Sequence, residues 1–541
     1  MEMFDLSLPA VNRFAAEYLR GTPDIQNLFH YRFQLSADYK DRLKELNNRT
    51  FMREELVRCI EKYMKPFPSS KAVDLSLTKL ADEHGVAVIG GQQAGILTGP
   101  LYSIHKIISI IVFSRQMEAE LNVPVVPVFW IAGEDHDFQE VNHVYIEKEG
   151  KVQKEVYPEQ MREKKMVSDI RLNRKQTIEW IEEIIEIFGE TEHTNKLLTF
   201  IYGAVEQSFS FVDFFAHFIM ELFKDEGLLI VDSADPDLRR LEKKIFLSQI
   251  EHVTEITSCV KEMQHDISLK GLNHMIDISD QAANLFYHDP YHKERILLEY
   301  DPQRNLFIGK NGAVILTHSE LRQTAAEFPE RLSNNVVTRP ITQEMLFPTL
   351  AFIAGPGEIA YWAELKKAFE TFSLKMPPIV PRLNITLLDR SVETDLRELG
   401  LTIEEVLLKG TEQQRQEYLA SVKDLELEQL FQVTIKNLLD NYQLIENRLD
   451  KGLQPLLEKN QNLLVNQIEF MKVKADAFLE LKHLTILNKF KRVENSLRPL
   501  GAPQERMLNI LQYMNRYGIH FPGELAQLSY TFDGSHKVIR I

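Results

Sequence analysis

The stretch Val86–Val112, VAVIGGQQAGILTGPLYSIHKIISIIV, decides the fold. Val86–Ile89 is a β-branched apolar run of strand length. It breaks at Gly90-Gly91 into a polar turn, Gln92-Gln93, with further glycines at Gly95 and Gly99. Pro100 stands where a helix starts, a position that tolerates a missing N–H. In the helix that follows, Ile104, Ile107, Ile108 and Ile111 fall on one face, and Tyr102, His105 and Ser109 on another. Strand, glycine turn and helix form the unit that places ligands at the carboxyl end of a parallel sheet. The helix start offers free N–H groups to an anion, and the glycines let backbone approach a ligand. A buried unit whose glycines serve only packing has the same outline. It has no need, however, of the polar set Gln92, Gln93, Thr98, His105 and Lys106, so Gly91, Gln92, Gln93, Thr98, Gly99 and Lys106 are binding candidates.

The next apolar run, Val123–Ile131, contains Pro124 and Pro127, which are awkward inside a central strand. The paired segment is therefore expected at Val125–Ile131. It leads into AGEDHDFQEVNHV, so that two strands and a helix make a βαβ unit with both polar clusters on one edge. Glu134, Asp135, His136 and Asp137 put four ionisable groups in a row. Their spacing is not that of a metal signature such as HExxH, and no metal site is assigned. A carboxylate at a strand end binds an ammonium group or takes its proton, and a histidine does the same near neutral pH. Asp135, His136 and Asp137 are thus candidates for proton handling, and Trp130, Asn142 and His143 for binding. A solvated charged turn is the bland alternative.

Arg339–Leu383 repeats the logic. Leu350–Ala354 reads as a strand, Gly355-Pro356-Gly357 as a turn, a helix begins near Glu358, and Pro377–Leu383 is a further strand. Arg339 and Arg382 suit bidentate pairing with carboxylate or phosphate. Gln343, Gly355, Gly357 and Glu358 lie beside them as binding candidates. Tyr361 and Trp362 read as core.

Outward from these stretches, residues 1–82 read as mostly helical. Lys148–Gln207 begins charge-rich, turns helical, and reads as an insertion over or beside the site. Gly227–Asp232 is a third strand and Gly312–Thr317 a short one. Beyond Leu383 the composition shifts. Phe431, Ile435, Leu438, Tyr442, Ile445 and Leu449 alternate by four and three; Gly452 and Pro455 interrupt; Leu457, Leu464, Ile468, Met471, Ala475 and Phe478 resume. This predicts a projecting antiparallel hairpin with a coiled-coil seam that recruits a second copy. The expected organisation is a core over 1–383 with an insertion around 148–207, a hairpin over 384–498, and a segment 499–541 returning to the core.

The 541 residues are 44% hydrophobic and 26% charged, with a formal net charge of −16, a globular composition. The acidic balance argues against general nucleic-acid binding without excluding a local basic pocket. Cys59 and Cys259 belong to no CxxC pattern, so neither thiolate zinc nor a disulfide framework is expected. There is no Walker A sequence and no GxSxG elbow. The first residues lack signal-peptide order and no apolar run approaches the ~20 residues of a membrane span; the cytoplasm is the expected location.

Together GGQQAGILTGPLYSIHK, FWIAGEDHDFQEVNHV, RPITQEMLFPTLAFIAGPGEIAYW and PQERMLNILQYMNRYG resemble the BshC family, to which the cysteine-adding step of bacillithiol synthesis is assigned. The resemblance covers nearly the whole chain. It implies an α/β fold: a Rossmann-type parallel-sheet core related to class I aminoacyl-tRNA synthetases and other nucleotidyl transferases, with connecting insertions and a coiled-coil hairpin supporting a homodimer. It also implies a ligase that joins L-cysteine to the amine of glucosaminyl-malate. The place equivalent to those relatives' HIGH motif reads Thr98–Lys106. His105 matches one histidine, Lys106, Ile107 and Ile108 replace the rest, and no KMSKS segment is found. A free carboxylate condenses poorly with an amine, so a nucleotide co-substrate (ATP or ADP, with its Mg) is expected. In this picture the Gly90–Gly99 loop and the helix start hold anionic groups, and His105 stabilises developing charge. Asp135, His136 or Asp137 handles the amine, and Arg339 or Arg382 holds malate's carboxylates. A nucleotidyl transferase for another small acid, or a non-catalytic scaffold, are the competing readings.

Overall fold

The computed structural model describes residues 1–10, 12–158, 165–289, 294–312 and 314–541. It divides into two compact units. The larger comprises Met3–Thr386 and Gln504–Ile539; the smaller comprises Leu387–Pro503 and the extreme ends Met1–Glu2 and Arg540–Ile541.

The larger unit is built on a five-stranded parallel sheet. Its spatial order is Ile379–Pro381, Thr349–Ala354, Val86–Gln92, Val125–Ile131, Leu229–Asp232. Taken in chain order this is 3-2-1-4-5 read from the Leu229–Asp232 edge, the doubly wound order of dinucleotide-binding folds without its sixth strand. Register is close across the centre: Gly91 lies opposite Trp130, and Phe352 opposite both Ile89 and Ile379. The apolar residues of the three middle strands are buried, as strands covered on both faces must be. Pro127 is tolerated because pairing with Leu229–Asp232 begins only at Val128, so its missing N–H faces no second neighbour.

Leu101–Leu121 packs on this sheet and is buried all round over its first two-thirds. The face expected to be polar is interior as well. His105 and Ser109 are fully buried, and Ser109 Oγ accepts the Leu383 N–H at 3.0 Å.

Where the sequence suggested a charge-rich insertion, the chain first makes an antiparallel hairpin, His143–Lys148 with Lys151–Val156. The helices Arg174–Phe188 and Thr194–Gln207 then follow. In Lys151–Val156 only Val152 is buried, too thin an apolar alternation to stand out among charges. Residues 159–164 of the expected insertion lie outside the described residues. A second sheet, also unforeseen apart from its edge, is antiparallel. Its order is Ile315–Thr317, Leu306–Gly309, Arg295–Asp301, Ala282–His288, Leu332–Asn334. Its core gathers Leu285, Leu298, Phe307, Leu321 and Leu332. Residue 313, within the strand expected over Gly312–Thr317, is outside the described residues. The described residues of 1–82 form the strand Glu2–Leu6 and then five helices joined by turns and loops.

The smaller unit carries a long helical hairpin, Leu425–Glu446 and Gln454–Lys482, turned at Lys451–Leu453. The first helix shields Phe431, Ile435, Leu438 and Tyr442, as its spacing predicts, but leaves Ile445, expected in the same seam, 42% exposed. In the second helix the seam is displaced from the expected one. Leu457, Gln461, Val465, Ile468, Lys472, Ala475 and Leu479 are the half-shielded residues. Leu464, Met471 and Phe478 stand outside, at 40, 57 and 71% exposure. The sequence holds two adjacent seven-residue stripes, and the seam is the one that brings Lys472 onto Glu428. Among the described residues no helix is long and apolar enough to cross a membrane.

Candidate active site

In a parallel sheet of this order the crevice for a ligand opens at the carboxyl ends of the strands, where the strand order reverses. Here that is between Val86–Gln92 and Thr349–Ala354. A cavity of about 470 Å³ lies there. The backbone around it is set by close packing. A Cβ on Gly91 would come within 2.9 Å of the Trp130 carbonyl oxygen, so this position excludes a side chain and leaves the strand end open to the cavity.

One buried ammonium ties the two strand ends together. Lys106 Nζ donates to Gly91 O at 2.7 Å, to Gln92 Oε1 at 3.1 Å and to Glu358 Oε2. Glu358 in turn accepts the Gly355 N–H at 2.7 Å, closing the first turn of the helix Pro356–Ala363. Burial lowers the Lys106 pKa and the Glu358 carboxylate opposes that. Lys106 thereby spends all three donors on the scaffold.

Arg382 is treated the same way. Its guanidinium pairs bidentately with Glu505, both contacts at 2.7 Å. Burial alone would raise the Glu505 carboxyl, but Arg382 overrides it and holds it well below the usual carboxylate range. His105 also meets Glu505, Nδ1 to Oε2 at 3.4 Å. Burial lowers its pKa, so the neutral ring donates its N–H there.

Two other guanidiniums on the cavity lack such partners. Arg339 donates to Gln343 Oε1 at 3.2 Å and to the Tyr361 hydroxyl at 3.0 Å. Arg506 is exposed and lines the wall. No carboxylate of the described residues pairs with either. The same cavity is lined by Asp135. Its Oδ2 accepts from Gln93 Nε2 at 2.6 Å and its Oδ1 from the His136 N–H at 2.7 Å.

Of the residues singled out from sequence, Gly91, Gln92, Gln93, Lys106, Trp130, Asp135, Arg339, Gly355, Gly357, Glu358 and Arg382 line this one cavity. The others do not. His105 is fully buried behind Arg382 and Glu505, so it touches no ligand in the cavity and cannot stabilise charge there directly. Thr98 and Gly99 belong to a left-handed run, Leu97, Thr98 and Gly99 at φ 51, 74 and 68°. Asn509 Nδ2 clamps that run through the carbonyls of Leu97 (2.9 Å) and Gly99 (2.7 Å). The Leu101 N–H donates to Leu508 O. The expected anion-holding helix start is therefore already engaged by the chain's own C-terminal segment. His136 turns its ring toward Phe286, and Asp137 is exposed. Asn142 is buried, its carbonyl accepting from Tyr157, and His143 begins the hairpin. Gln343 is buried behind Arg339.

Sequence reasoning missed Arg506 and put Tyr361 in the core. Tyr102, noted only for its helix face, also lines the cavity. Arg506 sits in QERM, a four-residue helix more than 120 positions from any other lining residue. Its motif, PQERMLNILQYMNRYG, was the available signal.

The chain matches two family models: the N-terminal Rossmann-like domain of bacillithiol biosynthesis BshC over residues 1–383, and the C-terminal coiled-coil domain of the same family over 385–541. Curated relatives named "Putative cysteine ligase BshC" align over the full length of both chains. They include proteins from Geobacillus sp. (strain WCH70) at 45% identity, Geobacillus thermodenitrificans at 43% and Anoxybacillus flavithermus at 42%.

Two expected outcomes follow from the geometry. Lys106→Met leaves Glu358 without its cation and should cost on the order of 2 kcal/mol or more in denaturant unfolding. Adding Glu358→Gln should recover part of the loss. For Glu505, a lowered carboxyl contributes stability above its unfolded pKa of about 4.3, lost as pH falls toward the folded value. The stability gap between wild type and Glu505→Gln should hold from pH 7 to about 5 and narrow below about 4, read by denaturant titration at each pH.

With its motif-bearing segments gathered on one crevice, and both family models spanning it end to end, the chain belongs to the BshC family of bacillithiol biosynthesis.

Proposed function

We propose that the protein is a ligase that joins the carboxyl group of L-cysteine to the amine of glucosaminyl-malate, forming an amide in the last step of bacillithiol biosynthesis. The observation that carries this reading is the charge layout of one cavity. Arg339 and Arg506 bring guanidiniums that no carboxylate of the described residues pairs with, and Asp135 brings a carboxylate held by Gln93, to the walls of the same cavity. A substrate with malate's carboxylates at one end and an amine at the other matches that layout. The guanidiniums take the carboxylates in charge-assisted hydrogen bonds. Asp135 receives the ammonium and accepts its proton as the amine becomes a nucleophile. The name carried by the relatives, a cysteine ligase, supports the reaction type.

Amide formation requires that the cysteine carboxylate lose an oxygen, and hydroxide is a poor leaving group. A nucleotide co-substrate, with its Mg, supplies the better leaving group when bound. The helix start at Leu101 does not take its phosphates, because the Leu101 N–H is already bonded. Tyr102 and Tyr361 bring hydroxyls to the cavity walls.

The test is mass spectrometry of the purified protein with cysteine, glucosaminyl-malate and a panel of nucleotides. Ligated product carries the proposal. A nucleotide adduct of another acid assigns a nucleotidyl transferase instead, and absence of turnover with every nucleotide rejects the enzyme in favour of a scaffold. Asp135→Asn should lower kcat/KM by about 100-fold or more. Arg339→Met should raise KM for glucosaminyl-malate roughly tenfold, equivalent to ~1.4 kcal/mol.

The hairpin supports a homodimer as the working form. Outside its internal seam it exposes Leu456, Leu463 and Phe470 at seven-residue spacing, at 65, 53 and 52%, beside Leu464, Met471 and Phe478. An apolar heptad stripe on a helix that already has one partner is suited to a further helix from a second copy. Sedimentation should give a dimer at micromolar concentration. Leu463→Glu with Phe470→Glu should give a monomer of unchanged helicity. A monomeric wild type rejects this assembly.

A further inference from the structure

The amine-handling carboxylate is not held by the Rossmann sheet alone. Behind the cavity, and outside its lining, lies Arg295, the first residue of Arg295–Asp301 in the antiparallel sheet. Its side chain is 6% exposed. Three contacts fix the plane of its guanidinium. Cζ lies 3.8 Å from the centroid of the Phe286 ring, Nε donates to Ser333 Oγ at 3.1 Å, and Nη2 donates to Asn334 O at 2.8 Å. All three come from neighbouring strands of the same sheet, in which Ser333 lies opposite Phe286. None of them neutralises the charge.

A buried cation needs a counter-charge, because removing it from water costs several kcal/mol. Two successive carboxylates face Arg295: Glu134 Oε1 at 4.0 Å from Nη2 and Asp135 Oδ1 at 3.9 Å from Nη1. Glu134 is shared: its Oε2 pairs with Arg239, which also reaches Glu242 at 3.1 Å. Glu134 contributes most to holding the Arg295 charge and Asp135 next, and of the two only Asp135 lines the cavity. Gln93 draws the carboxylate from its Oδ2 side, and Arg295 with the His136 N–H from its Oδ1 side.

We propose that Arg295 is a positioning residue for Asp135: the antiparallel sheet presents a rigid guanidinium that fixes the carboxylate in the orientation that receives the substrate amine. This rests on the amine role given to Asp135 above. The sheet is thereby more than a cover, because it supplies one of the two charges that define the amine end of the cavity. Lysine keeps the charge but loses the planar stacking and the fork that Ser333 and Asn334 hold.

The experiment compares full-length Arg295→Met, Arg295→Lys, Ser333→Ala and Asp135→Asn with wild type. It measures kcat and KM for glucosaminyl-malate, and the inhibition constant of glucosyl-malate, which keeps the malate end but lacks the amine. Arg295→Met should raise KM for the amine substrate by about tenfold while the inhibition constant of glucosyl-malate stays within about twofold. Arg295→Lys should recover part of that loss. Ser333→Ala, which frees Nε but keeps the charge, should move KM in the same direction by less, and it serves where the methionine variant does not fold. Equal loss in both constants assigns Arg295 a purely structural role and overturns the proposal. So does an Arg295→Met enzyme that matches wild type while Asp135→Asn is impaired. An unimpaired Asp135→Asn enzyme instead removes the amine role of Asp135, and with it the basis for both readings.

Discussion

A buried lysine ammonium holds the crevice in shape. Lys106 comes from the helix that follows the first strand, yet its three donors reach the end of that strand and the turn after Thr349–Ala354. These are the two strands between which the sheet order reverses, so no covalent loop joins their ends. Without a tie across them, the glycine turns at Gly91 and Gly355 would be free to part. A neutral side chain at 106 would leave Glu358 and the Gly91 carbonyl searching for partners in a largely dry site, a loss greater than that of the contacts themselves.

The C-terminal segment completes what Lys106 begins. Within a few residues, Glu505 pairs with Arg382 and meets His105, Arg506 enters the cavity wall, the Leu508 carbonyl caps Leu101, and Asn509 holds Leu97 and Gly99. Left-handed backbone at Leu97 and Thr98 costs of order 1–3 kcal/mol per residue. It persists because a side-chain amide from the far end of the chain grips the carbonyls on both sides. The site thus depends on the segment Glu505–Asn509 as well as on the sheet.

This explains which parts were legible. The strands announce themselves because buried parallel strands must be short unbroken apolar runs, and four of the five end in a glycine or acidic turn that falls on the same edge. Asp135, Gln93 and Glu358 are near enough in sequence to those ends to be found. His105 misleads because helical spacing separates faces but does not say which faces are buried, and in Leu101–Leu121 nearly all of them are. Arg506 is hidden because nothing in QERM marks the distance it crosses. The hairpin seam fails for a different reason. Two apolar stripes one residue apart share the same seven-residue repeat, so spacing alone does not choose between them; the observed seam is accompanied by pairs across the hairpin such as Lys472 with Glu428 and Lys423 with Asp476.

The cavity's selectivity follows from which cations are already spent. The protein is acidic overall, with a net charge of −16, yet Lys106, Arg339, Arg382 and Arg506 meet at one crevice. Counting them as four positive charges would overstate the field. Glu358 and Glu505 each neutralise one, and those pairs are buried well enough to be permanent parts of the frame. What remains for a ligand on the same walls is Arg339, Arg506 and Asp135. A monoanion satisfies only one guanidinium, whereas the dicarboxylate proposed above meets both and brings its amine to Asp135.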